Sequence, residues 1–156
     1  MIGEIEMNLV TYSTDNSPQR AGALHGDYVI DFQRALYWSV ENRVLTAAPE
    51  IPDQLVDIIN LSAKNREAIT AAVGTVSGLR LERLEVNDES VALPSNQVTL
   101  HAPLPRLNSL RLFTAFESGI QRYFELQGLS SVPREWSQMP IFHFGNHQAI
   151  YGPDAV

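Results

Sequence analysis

The chain lacks cysteine altogether, which excludes a disulfide framework, a cysteine nucleophile and a thiolate metal site. It carries a single lysine, Lys64, and a formal net charge of −7, which argues against a nucleic-acid-binding surface. It contains no run of about eighteen apolar residues, so we expect no membrane-spanning helix. The first ten residues, MIGEIEMNLV, have neither the basic start nor the apolar core of a signal peptide. We therefore expect a cytoplasmic protein that binds neither nucleic acid nor membranes.

Apolar residues, by contrast, are plentiful. They make up 44% of the 156 residues and recur in patterned blocks, which excludes a disordered chain. Residues 102–105 read Ala-Pro-Leu-Pro, and two prolines so close together impose an extended backbone. We interpret this segment as a connector between two packing units, an amino-terminal α+β region over residues 1–105 and a second region over residues 106–156.

The first region begins with a predicted sheet. Segments rich in β-favouring residues and bounded by turn formers predict three strands, at residues 6–12, 20–24 and 28–32. Gly26 can adopt a positive φ, so residues 25–27 predict a hairpin turn between the second and third strands. Ala23 and Val29 are expected on one face of this hairpin.

Helical spacing follows the predicted hairpin. Asp31 is the expected N-cap of a first helix, and Asn60 or Ser62 the expected N-cap of a later one. Four positions of the later helix are expected to be buried: Ala63, Ile69, Ala72 and Val73. Gly74 and Gly78 are expected to end that helix, because glycine is favoured after the last helical turn.

The remaining segments predict further strands and one more helix. In residues 79–86, LRLERLEV, apolar and polar residues alternate, but the spacing between Leu81 and Leu84 breaks the two-residue period. The segment therefore predicts a strand with a bulge or a break. Residues 109–124 are expected to begin extended and turn helical, and residues 98–100 and 140–144 to form strands. The predicted class is α+β, a small amino-terminal β-sheet with helices followed by the opening part of a mixed β-roll or sandwich.

The last third of the sequence is apolar and aromatic. Trp136, Phe142, Phe144 and Tyr151 fall within sixteen residues, and no predicted element follows to cover them. Contiguous exposed apolar surface marks an interface. We therefore expect another polypeptide to pack against this region.

The histidines and acidic residues do not indicate a metal site. His143 and His147 are four residues apart, but the intervening Phe-Gly-Asn favours a strand and a turn over one face of a helix. Four acidic residues are typical of a solvated surface and turn: Glu82, Glu85, Asp88 and Glu89. The sequence contains no P-loop, dinucleotide fingerprint, nucleophile elbow or zincin motif.

Separated blocks of the sequence match one known family in the same order. Four lie in the second region, SLRLFTAFE at 109–117, VPREW at 132–136, PIFHFGN at 140–146 and AIYGP at 149–153. Four lie in the first region, LVTY at 9–12, AGALHGD at 21–27, VID at 29–31 and APLP at 102–105. Over nearly the whole chain, these blocks resemble the fumarylacetoacetate hydrolase family.

The resemblance implies a β-rich leading region and only the first part of a catalytic domain, because family members of this type are about twice as long. Complete members cleave carbon–carbon bonds in acylpyruvate-like diketo acids, and related members decarboxylate, hydrate or isomerise similar compounds. In them the keto-acid oxygens of the substrate chelate a Mg²⁺ or Mn²⁺ ion, while a histidine activates water. The family's later Glu-x-Glu metal motif and a further Asp ligand are expected beyond Val156.

The sequence departs from the family motif Asp-Phe-x-x-Phe-Glu-x-His at the two positions that carry chemistry. Leu112 stands at the metal-binding Asp and Gly119 at the general-base His, so we expect no catalytic residue and no metal ligand in this chain. Mg²⁺ or Mn²⁺ is expected only in a partner or a complete family member. The resemblance implies four substrate-pocket positions, the last of which replaces a family aromatic: Phe113, Phe116, Glu117 and His143.

Three functions fit these features. In the first, the chain is a non-catalytic half or subunit that completes a partner, either a polypeptide carrying the rest of the catalytic domain or a homologous full-length chain. In the second, it helps form a composite pocket in an active Mg-dependent C–C bond hydrolase or decarboxylase complex acting on acylpyruvate-like diketo acids. In the third, it is a free-standing binding module or a decayed gene product with no activity. A relocated general base at His143 is not favoured, because its partner carboxylate and the metal would still be absent. Leu112 and Gly119 favour the first, with an inactive lone chain.

Overall fold

A computed structural model describes residues 7–15 and 17–153 of the chain. The fold combines antiparallel sheet and helices, so the predicted α+β class is confirmed. The chain divides into two compact units. Unit 1 contains the described residues up to Pro105 together with residues 151–153, and unit 2 contains Arg106–Ile150. The assignment of residues 106–156 to the start of a catalytic domain stays a prediction.

The centre of unit 1 is a five-stranded antiparallel sheet. The strands of unit 1 are β1 (Asn8–Ser13), β2 (Arg20–His25), β3 (Tyr28–Asp31), β4 (Glu85–Val86), β5 (Glu89–Ser90), β6 (Ala92–Pro94) and β7 (Thr99–His101). The sheet has the strand order β6-β3-β2-β1-β7, and β4 and β5 form a separate two-stranded ribbon. Strands β6 and β7 therefore lie at opposite edges of the sheet although only four residues join them.

This short connection requires the sheet to curl. Neighbouring strands lie about 4.8 Å apart, so a flat five-stranded sheet would separate its edges by roughly 19 Å. The connection includes a 3₁₀ turn at Ser95–Gln97, which rises only about 2 Å per residue. It is too short to cross a flat sheet, and the sheet accordingly curls into a half-barrel.

The predicted β2–β3 hairpin is confirmed, but its register is not the predicted one. The loop contains two residues, Gly26 and Asp27, and Gly26 has a φ of +57°. Ala23 pairs with Ile30, and both belong to the core, whereas Val29 lies on the opposite face. The expectation that Ala23 and Val29 share a face was wrong, because a loop of two residues instead of three shifts the pairing by one and exchanges the faces.

Unit 1 contains three helices, α1 (Phe32–Glu41), α2 (Leu55–Ile59) and α3 (Ala63–Ser77), of which α1 and α3 follow the two predicted N-cap regions. The predicted N-caps Asp31 and Ser62 are confirmed, since each side chain accepts a hydrogen bond from the backbone N–H three residues on. Ala63 is exposed rather than buried, and Gly74 lies inside α3, which ends at Gly78. Packing of the buried face outweighs the low helix propensity of Gly74. None of the helices in the described residues is long and apolar enough to cross a membrane.

Residues 79–86 do not form the predicted strand. A 3₁₀ turn occupies Leu81–Arg83, and only Glu85–Val86 is extended. The two residues that follow, Asn87 and Asp88, have φ values of +52° and +61°. Two consecutive positive φ values are typical of the tight turn that joins hairpin strands. The tight turn at Asn87 and Asp88, rather than the alternation of apolar residues, therefore determines where the extended backbone of this segment ends.

The core of unit 1 lies between the sheet and the helices. α1 and α3 pack against each other and bury apolar side chains at helical spacing, including Phe32, Leu36, Ala72 and Val76. Ala23 and Ile30 of the sheet belong to the same cluster. Each large apolar side chain buried in this way stabilises the folded state by about 1.5–3 kcal/mol, so unit 1 has its own core.

Unit 2 is built differently. It contains β8 (Leu110–Phe113), α4 (Glu117–Leu126), a 3₁₀ turn at Arg134–Ser137 and β9 (Phe142–Gly145), close to the predicted strand–helix–strand order. All residues from 106 to 150 are described, and none of them is buried. A two-stranded ribbon is at best marginally stable in water without a packed face. Unit 2 therefore lacks a core of its own.

Candidate functional site

The candidate site is the β8–β9 ribbon with the start of α4. The ribbon is antiparallel, with the pairs Leu110–Gly145, Arg111–Phe144, Leu112–His143 and Phe113–Phe142. Directly opposite residues share a face, and successive residues alternate between faces. One face, which we call the leucine face, carries Leu110, Leu112, His143 and Gly145. The other, which we call the aromatic face, carries Arg111, Phe113, Phe142 and Phe144.

The register separates two of the predicted pocket residues. Phe113 belongs to the aromatic face and His143 to the leucine face. Phe116 is the N-cap residue of α4 and is 82% exposed, and Glu117, the first residue of the helix, accepts a hydrogen bond from Gln121 Nε2 at 3.3 Å. The structure thus places all four predicted residues at the surface of unit 2, with Phe113 and His143 on opposite sides of the ribbon.

A groove that Phe113 lines contains none of the other three predicted residues. Its walls are residues 113–115, at the end of β8, and residues 136–141, which lead into β9. Trp136 Nε1 donates a hydrogen bond of 2.8 Å to the carbonyl of Thr114 and joins the two walls. The sequence interpretation named Trp136 among the clustered aromatic residues and missed this bond, although an indole N–H that is partly buried usually has an acceptor.

Leu112 makes an apolar contact where the family motif would place a carboxylate. A Cβ atom added to Gly145 would lie 2.9 Å from Leu112 Cδ1 and 2.7 Å from Leu110 Cδ2. The two leucines therefore occupy the space above Gly145, directly beside His143. Because a leucine side chain has no oxygen atom, this position cannot coordinate a hard cation.

Gly119, the other departure from the motif, lies in the first turn of α4. A Cβ atom added there would have Phe116 Cβ as its nearest neighbour, at 3.9 Å. The helix therefore has room for a larger side chain at this position, but glycine offers no group that could accept a proton. Among the described residues, no three His, Asp or Glu side chains come together where they could hold a metal ion.

Unit 1 contains a buried polar cluster that the sequence interpretation did not find. Asp31, only 1% exposed, accepts a 2.5 Å hydrogen bond from Tyr12 Oη, and Arg20 Nε lies 2.8 Å from Asp31 Oδ2. The backbone N–H of Arg34 donates to Asp31 Oδ1 at 2.8 Å. One carboxylate thus ties β1, β2, β3 and α1 together. Only the N-cap role of Asp31 could be read from local sequence, because Tyr12 and Arg20 are brought to it by the sheet.

The electrostatics of this cluster keep the Tyr12 phenol protonated and the Arg20 guanidinium charged at neutral pH. Burial raises the pKa of Tyr12 well above its ordinary value, and the Asp31 carboxylate raises it further, so the phenol stays a hydrogen-bond donor. Burial lowers the pKa of the Arg20 guanidinium, but the surrounding charges, Asp31 first among them, leave it above its ordinary value. The cluster is therefore a structural clamp rather than a proton-transfer site.

A second polar pair joins β1 to β7. Ser13 Oγ lies 2.8 Å from His101 Nε2. In the described part of the chain, no carboxylate forms a hydrogen bond with the other nitrogen of this ring. Without such an orienting group the pair is a cross-strand contact and not an activated nucleophile.

The geometry thus offers two surfaces of unit 2, the leucine face with His143 and the aromatic face with Arg111, and no assembled catalytic centre among the described residues. No family model matches the chain, and no curated protein matches it significantly. The resemblance to the fumarylacetoacetate hydrolases therefore rests on the sequence blocks alone.

Proposed function

We propose that this chain is a fumarylacetoacetate-hydrolase-like, non-catalytic subunit whose unit 2 is completed by a partner polypeptide. The observation that carries the proposal is the lack of a core in unit 2. None of its 45 residues is buried, yet it exposes large apolar side chains, among them Phe116, Leu126 and Phe144 at 82%, 69% and 74%. Exposed apolar surface of this extent on so small a unit marks a surface that another polypeptide covers.

Two residues support a non-catalytic role. The motif that resembles the family has Leu112 in contact with Gly145 and Gly119 inside α4, so neither the metal ligand nor the general base is present at its place. Of the remaining motif residues, Phe113 ends β8, and Phe116 and Glu117 lie at the start of α4. The chain therefore retains the outline of the family motif without the groups that would perform its chemistry.

The complex we propose is cytoplasmic. Mg²⁺ or Mn²⁺, if the complex uses either, is held by the partner, which carries the later carboxylates that the resemblance implies. An active complex that cleaves diketo acids differs from a purely structural one in a single property, namely turnover. The same purified complex therefore decides between the two: loss of diketo-acid ultraviolet absorbance in the presence of Mg²⁺ indicates an active complex, and its absence a structural subunit.

Native mass spectrometry combined with hydrogen exchange tests the proposal. We expect the chain, purified from the cells that produce it, to carry a second polypeptide. In the lone chain, amides of β8, β9 and α4 should exchange nearly as fast as those of an unfolded chain, because no buried contact opposes their opening. In the complex these amides should be strongly protected, while those of β2 and β3 serve as the control and stay protected in both. Strong protection of β8 and β9 in a lone monomer would contradict the proposal.

Restoring the motif should not by itself create an enzyme. We expect the variant Leu112→Asp/Gly119→His to fold, since a Cβ at residue 119 meets nothing closer than 3.9 Å, and to show no diketo-acid cleavage alone. A general base contributes about two to four powers of ten only when it is positioned on its water, and one carboxylate does not hold Mg²⁺.

The matched control for this variant is Leu112→Asn/Gly119→Asn, which introduces polar side chains at both positions and neither charge nor base. Turnover is expected only when the restored chain is combined with a partner that supplies the later carboxylates. Mg²⁺-dependent turnover by the lone restored chain, absent from the control, would show that no partner is needed and that the proposal is wrong.

A further inference from the structure

The aromatic face has a feature that hydrophobic exposure alone does not explain. The Arg111 guanidinium lies over the rings of Phe142 and Phe144, 5.1 Å and 5.7 Å from their centroids. Phe142 also contacts Phe113 and Phe144, with 5.2 Å between ring centroids in each pair. Two of the three rings, those of Phe142 and Phe144, thus hold a cation in place on an exposed surface.

Arg111 has no acidic partner among the described residues. The salt bridges there join Arg20 to Asp31, Arg34 to Glu89 and Arg122 to Glu125. A guanidinium held by aromatic rings is pre-organised for the planar, two-pronged contact that a carboxylate makes. Covering this face with a purely apolar surface would bury an unpaired charge, which is strongly unfavourable.

Two residues of the aromatic face, Arg111 and Phe113, also lie at the outer edge of β8. Thr114 N donates to Ile141 O and continues the β8–β9 register, so the alternation of an antiparallel pair directs the backbone groups of Arg111 and Phe113 away from β9. No strand within the described residues pairs with the outer edge of β8. Unpaired edge groups next to apolar side chains are a template for an added strand.

We propose that the outer edge of β8 and the aromatic face receive an extended segment of the partner polypeptide, and that an Asp or Glu of this segment pairs with Arg111. The segment forms backbone hydrogen bonds with Arg111 and Phe113 as a third strand, and its apolar side chains pack beside Phe113 on the aromatic face. This inference rests on the proposed function, and it names the chemistry of the partner: a β-strand with a carboxylate flanked by apolar residues.

Photocrosslinking in the purified complex tests where the segment lies. p-Benzoylphenylalanine placed at residue 113, on β8, should crosslink to a peptide of the partner that contains Asp or Glu and has β-strand alternation. The same group at Leu79, an exposed residue of unit 1, is the control and should not crosslink to that peptide. A crosslink to a second copy of this chain, or to a partner peptide without an acidic residue, would overturn the inference.

Charge substitution tests the pairing itself. Arg111→Gln should weaken the complex by about ten- to a hundredfold, since hydrogen bonds to charged groups contribute that much to affinity. Arg122→Gln is the matched control, because Arg122 is exposed in the same unit and pairs only with Glu125, and it should change the affinity less than twofold. Arg111→Glu should abolish binding, and replacing the crosslinked acidic residue of the partner by Arg should restore it.

The results separate the two proposals. Equal affinities for Arg111→Gln and Arg122→Gln, or no rescue by the exchanged charges, would overturn the docking inference while a partner still co-purifies. Failure of any polypeptide to co-purify with the unmodified chain would overturn the proposed function, and the docking inference with it. Charge rescue distinguishes direct pairing from misfolding, because a misfolded Arg111→Glu chain could not be restored by a change in its partner.

Discussion

Replacing Asp31 by Ala is expected to lower the free energy of unfolding of unit 1 by about 3–5 kcal/mol, the range for removing one member of a buried ion pair. The carboxylate is 1% exposed and accepts from Tyr12 Oη and the Arg34 backbone while pairing with Arg20. Its loss leaves a half-buried guanidinium, a buried hydroxyl and the first turn of α1 without their partner. Urea denaturation followed by far-ultraviolet circular dichroism measures the change.

The chain offers a matched control for this substitution. Asp27 lies in the exposed β2–β3 loop, and its carboxylate forms no hydrogen bond with the described residues, so Asp27→Ala should change stability by no more than about 0.5 kcal/mol. Tyr12→Phe removes only one hydroxyl from the cluster and should cost about 1 kcal/mol. Equal unfolding midpoints for Asp31→Ala and Asp27→Ala would show that the cluster does not stabilise the sheet.

Replacing Gly22 by Ala is expected to destabilise unit 1 by about 2–3 kcal/mol, toward the upper end for an overpacked core. A Cβ atom at residue 22 would lie 2.6 Å from the carbonyl oxygen of Ile30, 3.1 Å from Val29 Cγ1 and 3.2 Å from Tyr12 Cε1. The nearest of these atoms belongs to the backbone of β3, which cannot move without disturbing its pairing with β2. Thermal and urea unfolding of the variant measure the effect.

Gly78 is the control for this prediction. It is the C-cap of α3 with φ of −83°, and a Cβ atom there meets only the Thr75 carbonyl, at 3.7 Å. Gly78→Ala should therefore leave stability unchanged within about 0.5 kcal/mol. If Gly22→Ala unfolded at the same urea concentration as Gly78→Ala, the close approach of β2 and β3 at residue 22 would be ruled out.

The candidate site could be predicted from sequence in part. The sequence predicts that residues 109–124 begin extended and turn helical, and the structure has β8 at Leu110–Phe113 followed by α4 from Glu117. The sequence could not predict that Phe113 and His143 lie on opposite faces, because faces depend on the register of β8 against β9. A register is a property of two segments about thirty residues apart in the chain, and local residue preferences do not encode it.

The sequence by itself determined the local features of this protein: the turn at Gly26, the N-caps at Asp31 and Ser62, and the lack of a carboxylate at Leu112 and of a proton-accepting side chain at Gly119. These depend on one residue and its near neighbours. Only the tertiary structure decided the curl of the five-stranded sheet, the gathering of Tyr12 and Arg20 around Asp31, and the pairing that places Arg111 over Phe142. Each of these joins segments distant in the chain, and their positions follow from strand register and connection length rather than from local preference.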